Sequence, residues 1–97
     1  MERMKAIELM SALAQPTRLD VFAQLARARP DGLSAGSLAE RLGTPANTMS
    51  AHLAILSRAG LISSTKAGRN IIYTAEPNAV RDLALFLTHD CCPAASK

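Results

Sequence analysis

The stretch that most constrains the fold of this chain is residues 33–62, where two short helices are predicted on either side of a tight turn. Ser34 is placed to cap the first helix, and Gly43 to end it, because a residue without a Cβ closes a helix C-terminus at no steric cost. Thr44-Pro45 then supplies a cap and a first helical residue for the second helix, which ends at Gly60. This arrangement is typical of a helix-turn-helix.

The apolar residues of both helices recur at helical spacing, which predicts their buried faces. These residues are Leu38, Ala39 and Leu42 in the first helix and Met49, Leu53 and Leu56 in the second. The opposite side of the second helix carries small or polar residues and no carboxylate: Asn47, Thr48, Ser50, Ala51, Ala54, Ser57 and Arg58. Such a face is either an ordinary solvated surface or one that fits against the wall of the DNA major groove.

The segment after the second helix predicts a β-hairpin. Ile62 and Ser64 alternate on one strand, Ile71 and Tyr73 on the other, and Lys66–Arg69 forms the connecting turn. The alternative is an ordinary hairpin with exposed charges. Because this one has a basic tip and directly follows a helix-turn-helix, we interpret it as a wing that reaches a neighbouring phosphate or the minor groove.

Several separate motifs of this chain occur in the order found in one known family. They are Gln15–Leu19, Leu38–Gly43, Thr48–Leu53, Leu56 with Ala59–Ile62, and Gly68-Arg69 followed by Tyr73. Together they resemble the ArsR/SmtB family of winged-helix repressors, over nearly the whole chain from Ile7 to Leu87. One departure is Ala51, which stands where many members carry a basic residue, so part of the usual DNA contact is missing.

We predict that residues 1–97 form one domain, mainly α with a small β-hairpin, since 97 residues suffice for a single small core. The expected architecture is a winged helix-turn-helix with about five helices and a two-stranded wing, in the order α1-α2-α3-α4-β-β-α5. The recognition helix is expected at about 45–59, the wing at about 61–75 and a C-terminal sensing tail at 89–97. In the first helix, Met4, Ile7, Met10 and Leu13 lie near one side.

The last helix, predicted from Asn78 to about His89, is apolar around most of its circumference. Its apolar residues are Val80, Leu83, Ala84, Leu85, Phe86 and Leu87. A terminal helix of this kind needs two partners, its own core and a second surface, unless its own domain covers it entirely. We therefore predict a homodimer built from the first and last helices. Such a dimer presents two recognition helices to one palindromic operator, about one helical turn apart.

The charge of the chain, +3 overall, is concentrated in one region. Thr44–Ala75 contains no Asp or Glu but includes Arg58, Lys66 and Arg69, while the other residues carry eight bases and eight acids. Double-stranded operator DNA is therefore the expected partner, and a protein-interaction module, which would bind with weaker salt dependence, is the alternative. The expected DNA contacts are Asn47, Thr48, Ser50, Ala51, His52, Lys66 and Arg69. Low aromatic content, 3%, argues against recognition of single strands.

No catalytic combination of residues emerges, so we expect no enzymatic activity. His52 and His89 lie in different elements, and the chain has no Gly-rich phosphate loop, paired catalytic carboxylates or HExxH motif. His52 adjoins Leu53 and is interpreted as a helix-packing or phosphate-contacting residue. A small thiol-based arsenate reductase would need an activated cysteine, and no His or Arg partner lies close in sequence. With neither a signal peptide nor a membrane span in the sequence, we expect a cytoplasmic protein with reduced thiols and no membrane partner.

The remaining chemistry lies in the adjacent thiols Cys91 and Cys92, just past the last helix. Thiolates bind soft, thiophilic ions. Within the resembled family such sites hold arsenite, antimonite or divalent metals, and binding releases DNA. Ser34–Leu38 contains no Cys, and Asp82 and His89 alone do not complete the family's zinc pattern in the last helix. The resemblance therefore implies the metalloid-sensing type, with As(III) or Sb(III) as inducer.

Trivalent arsenic prefers three thiolates, and this chain has two. The third can be a small cellular thiol, a cysteine of the partner chain or a residue beyond this sequence. Alternatively, His89 joins both cysteines around Zn or Cd. The pair can also act without a metal by oxidising to a disulfide, or have no role.

Overall fold

The computed structural model describes residues 1–91 and confirms the winged helix-turn-helix prediction, with one additional strand. Its elements are α1 (Arg3–Leu13), α2 (Pro16–Arg27), β1 (Leu33–Ser34), α3 (Ala35–Leu42), α4 (Ala46–Ala59), β2 (Ile62–Ala67), β3 (Asn70–Ala75) and α5 (Pro77–Leu85), which continues as a π-helical segment (Phe86–Cys91). Helices α3 and α4 are the two helices of the helix-turn-helix, and β2 and β3 form the wing.

The sheet has three antiparallel strands in the order β1-β3-β2, whereas the sequence predicted only two. Leu33 pairs with Tyr73 and Ser34 with Ile72, so β1 lies on the outer edge of the wing hairpin. A strand of two residues is too short to show alternation in the sequence. Its close approach to β3 depends on Gly32, which has φ +80° and where a Cβ would collide with the Tyr73 carbonyl oxygen.

The predicted helix boundaries are confirmed on both sides of the turn except at the start of α4. Ser34 Oγ accepts a hydrogen bond from Ser37 N at 3.1 Å, and Gly43 and Gly60 end their helices with positive φ. The prediction that Thr44 caps the second helix is wrong. Pro45 occupies the N-cap position, so the Thr44 side chain lies one residue too early to reach the first turn, and it donates to the Leu42 carbonyl at 3.4 Å instead.

The core is formed where the first four helices meet the beginning of the wing. Its largest fully buried side chains are Leu9, Val21, Leu25, Leu38, Met49, Leu53, Leu56 and Leu61. The predicted apolar stripe of α4 is therefore confirmed. In α1 the core takes Ala6, Leu9 and Ala12, whose small side chains allow close packing, and the larger Met4, Ile7 and Met10 are exposed instead.

The last helix contributes little to this core. Leu83 is its one buried residue within the described chain, and Leu85 is 54% exposed. The predicted helix to about His89 is present, but its second part changes from α-helical to π-helical hydrogen bonding. Among residues 1–91, none of the helices combines the length and apolar character that crossing a bilayer requires.

Candidate nucleic-acid interface

The outward side of α4 consists of the residues predicted to contact DNA. Asn47, Thr48, Ser50 and Ala51 are all exposed, as are Ala54, Ser57 and Arg58 further along the helix. This side faces outward because the buried stripe of Met49, Leu53 and Leu56 sets the rotation of the helix against the core. The result is a surface of small and polar side chains with no carboxylate on it.

The wing presents its two basic side chains at the tip. Ala67 pairs with Asn70, so the hairpin loop has only two residues, Gly68 and Arg69, and Gly68 has φ +64°. A glycine at the first central position is what a two-residue hairpin loop of this kind requires. Lys66 and Arg69 are both exposed, which leaves their charges free to reach a polyanion.

A hollow of about 410 Å³ joins the wing to α4 and to the start of α3. It is lined by Ser50 and Arg69, two of the predicted contacts, together with Ser34, Ala35, Gly36, Asn70, Ile71 and Tyr73. The fold therefore brings a residue of the recognition helix and a residue of the wing to one surface. Lys66 does not line this hollow and lies further along the hairpin.

His52 differs from the other predicted contacts because its side chain is half-buried and has a partner. Its Nδ1 lies 3.3 Å from Nη1 of Arg18 in α2. The Nε of Arg18 also donates to the carbonyl oxygen of Ala12 at 2.7 Å. Sequence reasoning missed Arg18, because it is separated from His52 by 34 residues and no local pattern connects the two.

The electrostatic character of this surface follows from the absence of acidic residues between Thr44 and Ala75. The next carboxylate along the chain, Glu76, lies at the base of the wing, where it accepts a hydrogen bond from Ser63 Oγ at 2.7 Å. Arg58, Lys66 and Arg69 are exposed on the intervening surface. The arrangement offers hydrogen-bond donors and positive charge, which suits a phosphate backbone and base edges.

The predicted sensing residues lie away from this surface, at the end of the last helix. Cys91 is an exposed free thiol at the end of the π-helical segment, and Cys92 lies outside the described residues. His89 is exposed and lines a hollow of about 290 Å³ with Asp82 and Asp90, but Cys91 is not part of that lining. Within residues 1–91, no three His, Cys, Asp or Glu side chains are grouped so that they could hold a metal ion.

Comparisons with known proteins agree with this geometry. The family model described as a helix-turn-helix domain matches residues 13–65. The chain is 32% identical to the transcriptional activator HlyU of Vibrio cholerae over 90 residues, which are 93% of this chain and 81% of that protein. The structure of reduced HlyU superimposes with a TM-score of 0.70 at 30% identity, over 92% of this chain and 90% of that one.

Two further solved structures are similar. An ArsR-like transcriptional regulator from Rhodococcus sp. RHA1 has a TM-score of 0.79 and 34% identity, over 87% of this chain and 76% of that one. The homodimeric winged helix-turn-helix DNA-binding domain of a possible ArsR-family regulator from Mycobacterium bovis has a TM-score of 0.74 and 25% identity, over 84% of this chain and 74% of that one. These relatives are regulators rather than enzymes. The chain therefore belongs to the ArsR/SmtB family of winged helix-turn-helix transcriptional regulators.

Proposed function

We propose that this protein is a homodimeric repressor that binds double-stranded operator DNA and releases it when trivalent arsenic or antimony binds Cys91 and Cys92. The observation that carries the proposal is the exposed surface of α4 and the wing, which has three basic residues and no acidic one. On this proposal the DNA contacts are Asn47, Thr48, Ser50, Ala51, His52, Lys66 and Arg69.

The roles of these contacts follow from their positions. Asn47 and Ser50 have hydrogen-bonding side chains on the exposed side of α4, where they can reach base edges in the major groove. The small Ala51 allows the helix to approach the groove closely but supplies no charge. Arg69 and Lys66 on the wing would then neutralise phosphates, which fixes the register of the helix on the duplex.

The homodimer is supported by apolar side chains that the described chain leaves exposed. Met4 and Ile7 of α1 are 66% and 43% exposed, and Leu85 of α5 is 54% exposed. The two helices adjoin, because Met1 lines the same hollow as Leu85 and Phe86. Contiguous exposed apolar surface marks an interaction site. The relative from Mycobacterium bovis is a homodimer, which favours a second copy of this chain as the partner.

The choice of inducer is supported by the chemistry of the thiols. Thiolates prefer soft ions, and Cys91 is exposed to solvent at the end of the last helix. The described residues contribute one thiol, so the site requires Cys92 together with a third ligand from a small thiol or the partner chain. His89, which faces Asp82 and Asp90 rather than Cys91, suits a divalent metal less well in this arrangement. A reducing compartment, such as the cytoplasm, would keep both thiols available.

Release of DNA would require that the end of the last helix be coupled to the dimer interface. Cys91 ends the segment that continues α5, and α5 supplies Leu85 to the proposed dimer surface. A change in the position of this helix would alter the spacing of the two recognition helices. A coupling free energy of about 1–3 kcal/mol would change operator affinity by about 5- to 150-fold.

The test is fluorescence anisotropy of the protein on its own promoter DNA under reducing conditions, with arsenite or zinc added. We expect release by arsenite and not by zinc, and we expect the Cys91→Ser, Cys92→Ser double variant to bind DNA normally and ignore arsenite. Unchanged release from the double variant would refute the sensing proposal. The absence of DNA binding by the wild-type protein would favour a protein-interaction module instead.

A second candidate is a regulator of the same fold that responds to thiol oxidation. It is favoured by the similarity to HlyU, one structure of which is specifically of the reduced protein. Adjacent exposed thiols form labile disulfides. DNA binding that ignores arsenite but is lost on oxidation and recovered with a reductant would establish this candidate. Mass spectrometry should then show the loss of two hydrogens per chain.

A further inference from the structure

Arg18 connects three helices through its guanidinium group. Its backbone N–H donates to the side chain of Gln15 at 2.8 Å, which fixes the first turn of α2. Its Nε donates to the carbonyl oxygen of Ala12 at 2.7 Å, near the end of α1, and its Nη1 lies 3.3 Å from Nδ1 of His52 in α4. Arg18 is half-buried, so these contacts are partly shielded from water.

The contact between Arg18 and His52 determines which ring nitrogen carries the proton. A guanidinium group has N–H donors and no acceptor, so Nδ1 of His52 must be the acceptor. A neutral imidazole that accepts at Nδ1 carries its proton on Nε2. The arrangement therefore leaves the Nε2–H of His52 as a hydrogen-bond donor.

That donor is available to a ligand. Nε2 has no hydrogen-bond partner within residues 1–91, and no side-chain nitrogen or oxygen in that part of the chain is both buried and unpaired. His52 follows the exposed Ala51 and lies one helical turn after the exposed Thr48. An N–H group at this edge of α4 suits a hydrogen-bond acceptor on DNA, either a phosphate oxygen or a base-edge atom of the major groove.

We propose that Arg18 is a positioning residue for DNA binding: it holds the imidazole of His52 in the Nε2–H form and directs it to an acceptor on the operator. This inference rests on the proposed DNA-binding function. Arg18 acts through His52 and does not itself contact DNA. Because the same guanidinium binds the Ala12 carbonyl, the position of His52 is also tied to the end of α1, whose outer face carries the proposed dimer surface.

The first test is a double-mutant cycle on operator affinity, measured by anisotropy for Arg18→Met, His52→Ala and the double variant. We expect Arg18→Met to raise Kd about tenfold in the wild-type background. In the His52→Ala background the same substitution should have almost no effect, because the residue through which Arg18 acts is absent. Arg27→Met, which removes one charge from the exposed end of the same helix, is the matched control and should leave Kd nearly unchanged. Equal losses in both backgrounds would overturn the proposal.

The salt dependence of Kd and the Arg18→Lys variant separate positioning from a direct phosphate contact. A phosphate contact would lower the slope of log Kd against log salt by about 0.9 for each one lost, and lysine would largely restore it. We expect the slope of Arg18→Met to match wild type. Lysine should not restore affinity, because one ammonium group does not reproduce the two differently directed N–H groups that hold Ala12 and His52. Rescue by lysine together with a reduced slope would refute the positioning role.

The second test uses the free protein and therefore does not depend on DNA binding. Nitrogen-15 NMR of the imidazole rings at pH 8.5, above the range in which histidines ordinarily titrate, shows which ring nitrogen is protonated. The His89→Gln variant assigns the remaining signals to His52. We expect an unprotonated Nδ1 whose resonance moves in Arg18→Met. A protonated Nδ1 cannot accept from a guanidinium and would overturn the inference. If promoter binding fails while Nδ1 is unprotonated, the proposed function is wrong and the Arg18–His52 contact is correct.

Discussion

Replacing Arg69 with glutamine should lower the salt dependence of operator binding by an amount that also reports the oligomeric state. Arg69 is exposed at the wing tip and lines the hollow shared with Ser50, so its guanidinium is placed to neutralise one phosphate. Each phosphate contact contributes about 0.9 to the slope of log Kd against log salt. A homodimer carries two copies of Arg69, and the slope should therefore fall by about 1.8, whereas a monomer would lose about 0.9.

The assay is anisotropy on promoter DNA between about 50 and 200 mM salt, the range over which phosphate contacts change affinity steeply. Arg27→Gln, which removes the same charge from the end of α2, is the control and should keep the wild-type slope. Circular dichroism should show both variants folded, because neither side chain is buried. A wild-type slope in Arg69→Gln would refute a phosphate contact at the wing, and a decrease near 0.9 would refute two-fold binding.

Three further predictions concern the fold and the dimer. Gly32→Ala should lower the free energy of unfolding in urea by about 1–3 kcal/mol, because Gly32 has positive φ and a Cβ there collides with the backbone of β3. Gly36→Ala is its control, since a Cβ at Gly36 meets nothing within 4 Å, and it should be neutral or stabilising. Leu53→Ala should cost about 2–5 kcal/mol by the same measurement, because it empties a buried core position. Leu85→Lys should convert the dimer to a monomer in analytical ultracentrifugation, whereas Leu19→Lys, at 53% exposure against 54%, should remain dimeric.

Each of these predictions has a contradicting outcome. Equal stabilities of the two glycine variants would show that the close approach of β1 to β3 is unimportant for folding. A loss below about 1 kcal/mol for Leu53→Ala would mean that the core collapses around the missing side chain. Dissociation by Leu19→Lys and not by Leu85→Lys would place the dimer surface on α2 rather than on the last helix.

The helix-turn-helix could be predicted because its signals are local. Ser34 caps α3 through an N–H three residues later, and Gly43 and Gly60 end their helices through their own backbone conformation. The buried stripe of α4 repeats within one helix, so neighbouring residues suffice to reveal it. The exception was the cap of α4, where Thr44 and Pro45 both suit the start of a helix and a shift of one residue decides between them.

The surface of α4 and the wing was predictable in composition but not in arrangement. Asn47, Thr48, Ser50 and Ala51 follow from the side opposite the apolar stripe, and they are exposed in the structure. That Ser50 and Arg69 share a hollow depends on how the wing folds back beside α3. The roles of Cys91 and Cys92 remain predictions from thiol chemistry and family resemblance.

By itself, the sequence determined the order of elements, the ends of most helices, the buried face of the recognition helix and the basic character of the region after it. These properties depend on residues within a few positions of one another. Only the tertiary structure decided that Leu33 and Ser34 join the wing as a third strand, that α1 buries its small side chains and exposes its methionines, and that Arg18 holds His52. Strand pairing and the Arg18–His52 contact join residues more than thirty positions apart, and the buried side of α1 is selected by the helices packed against it.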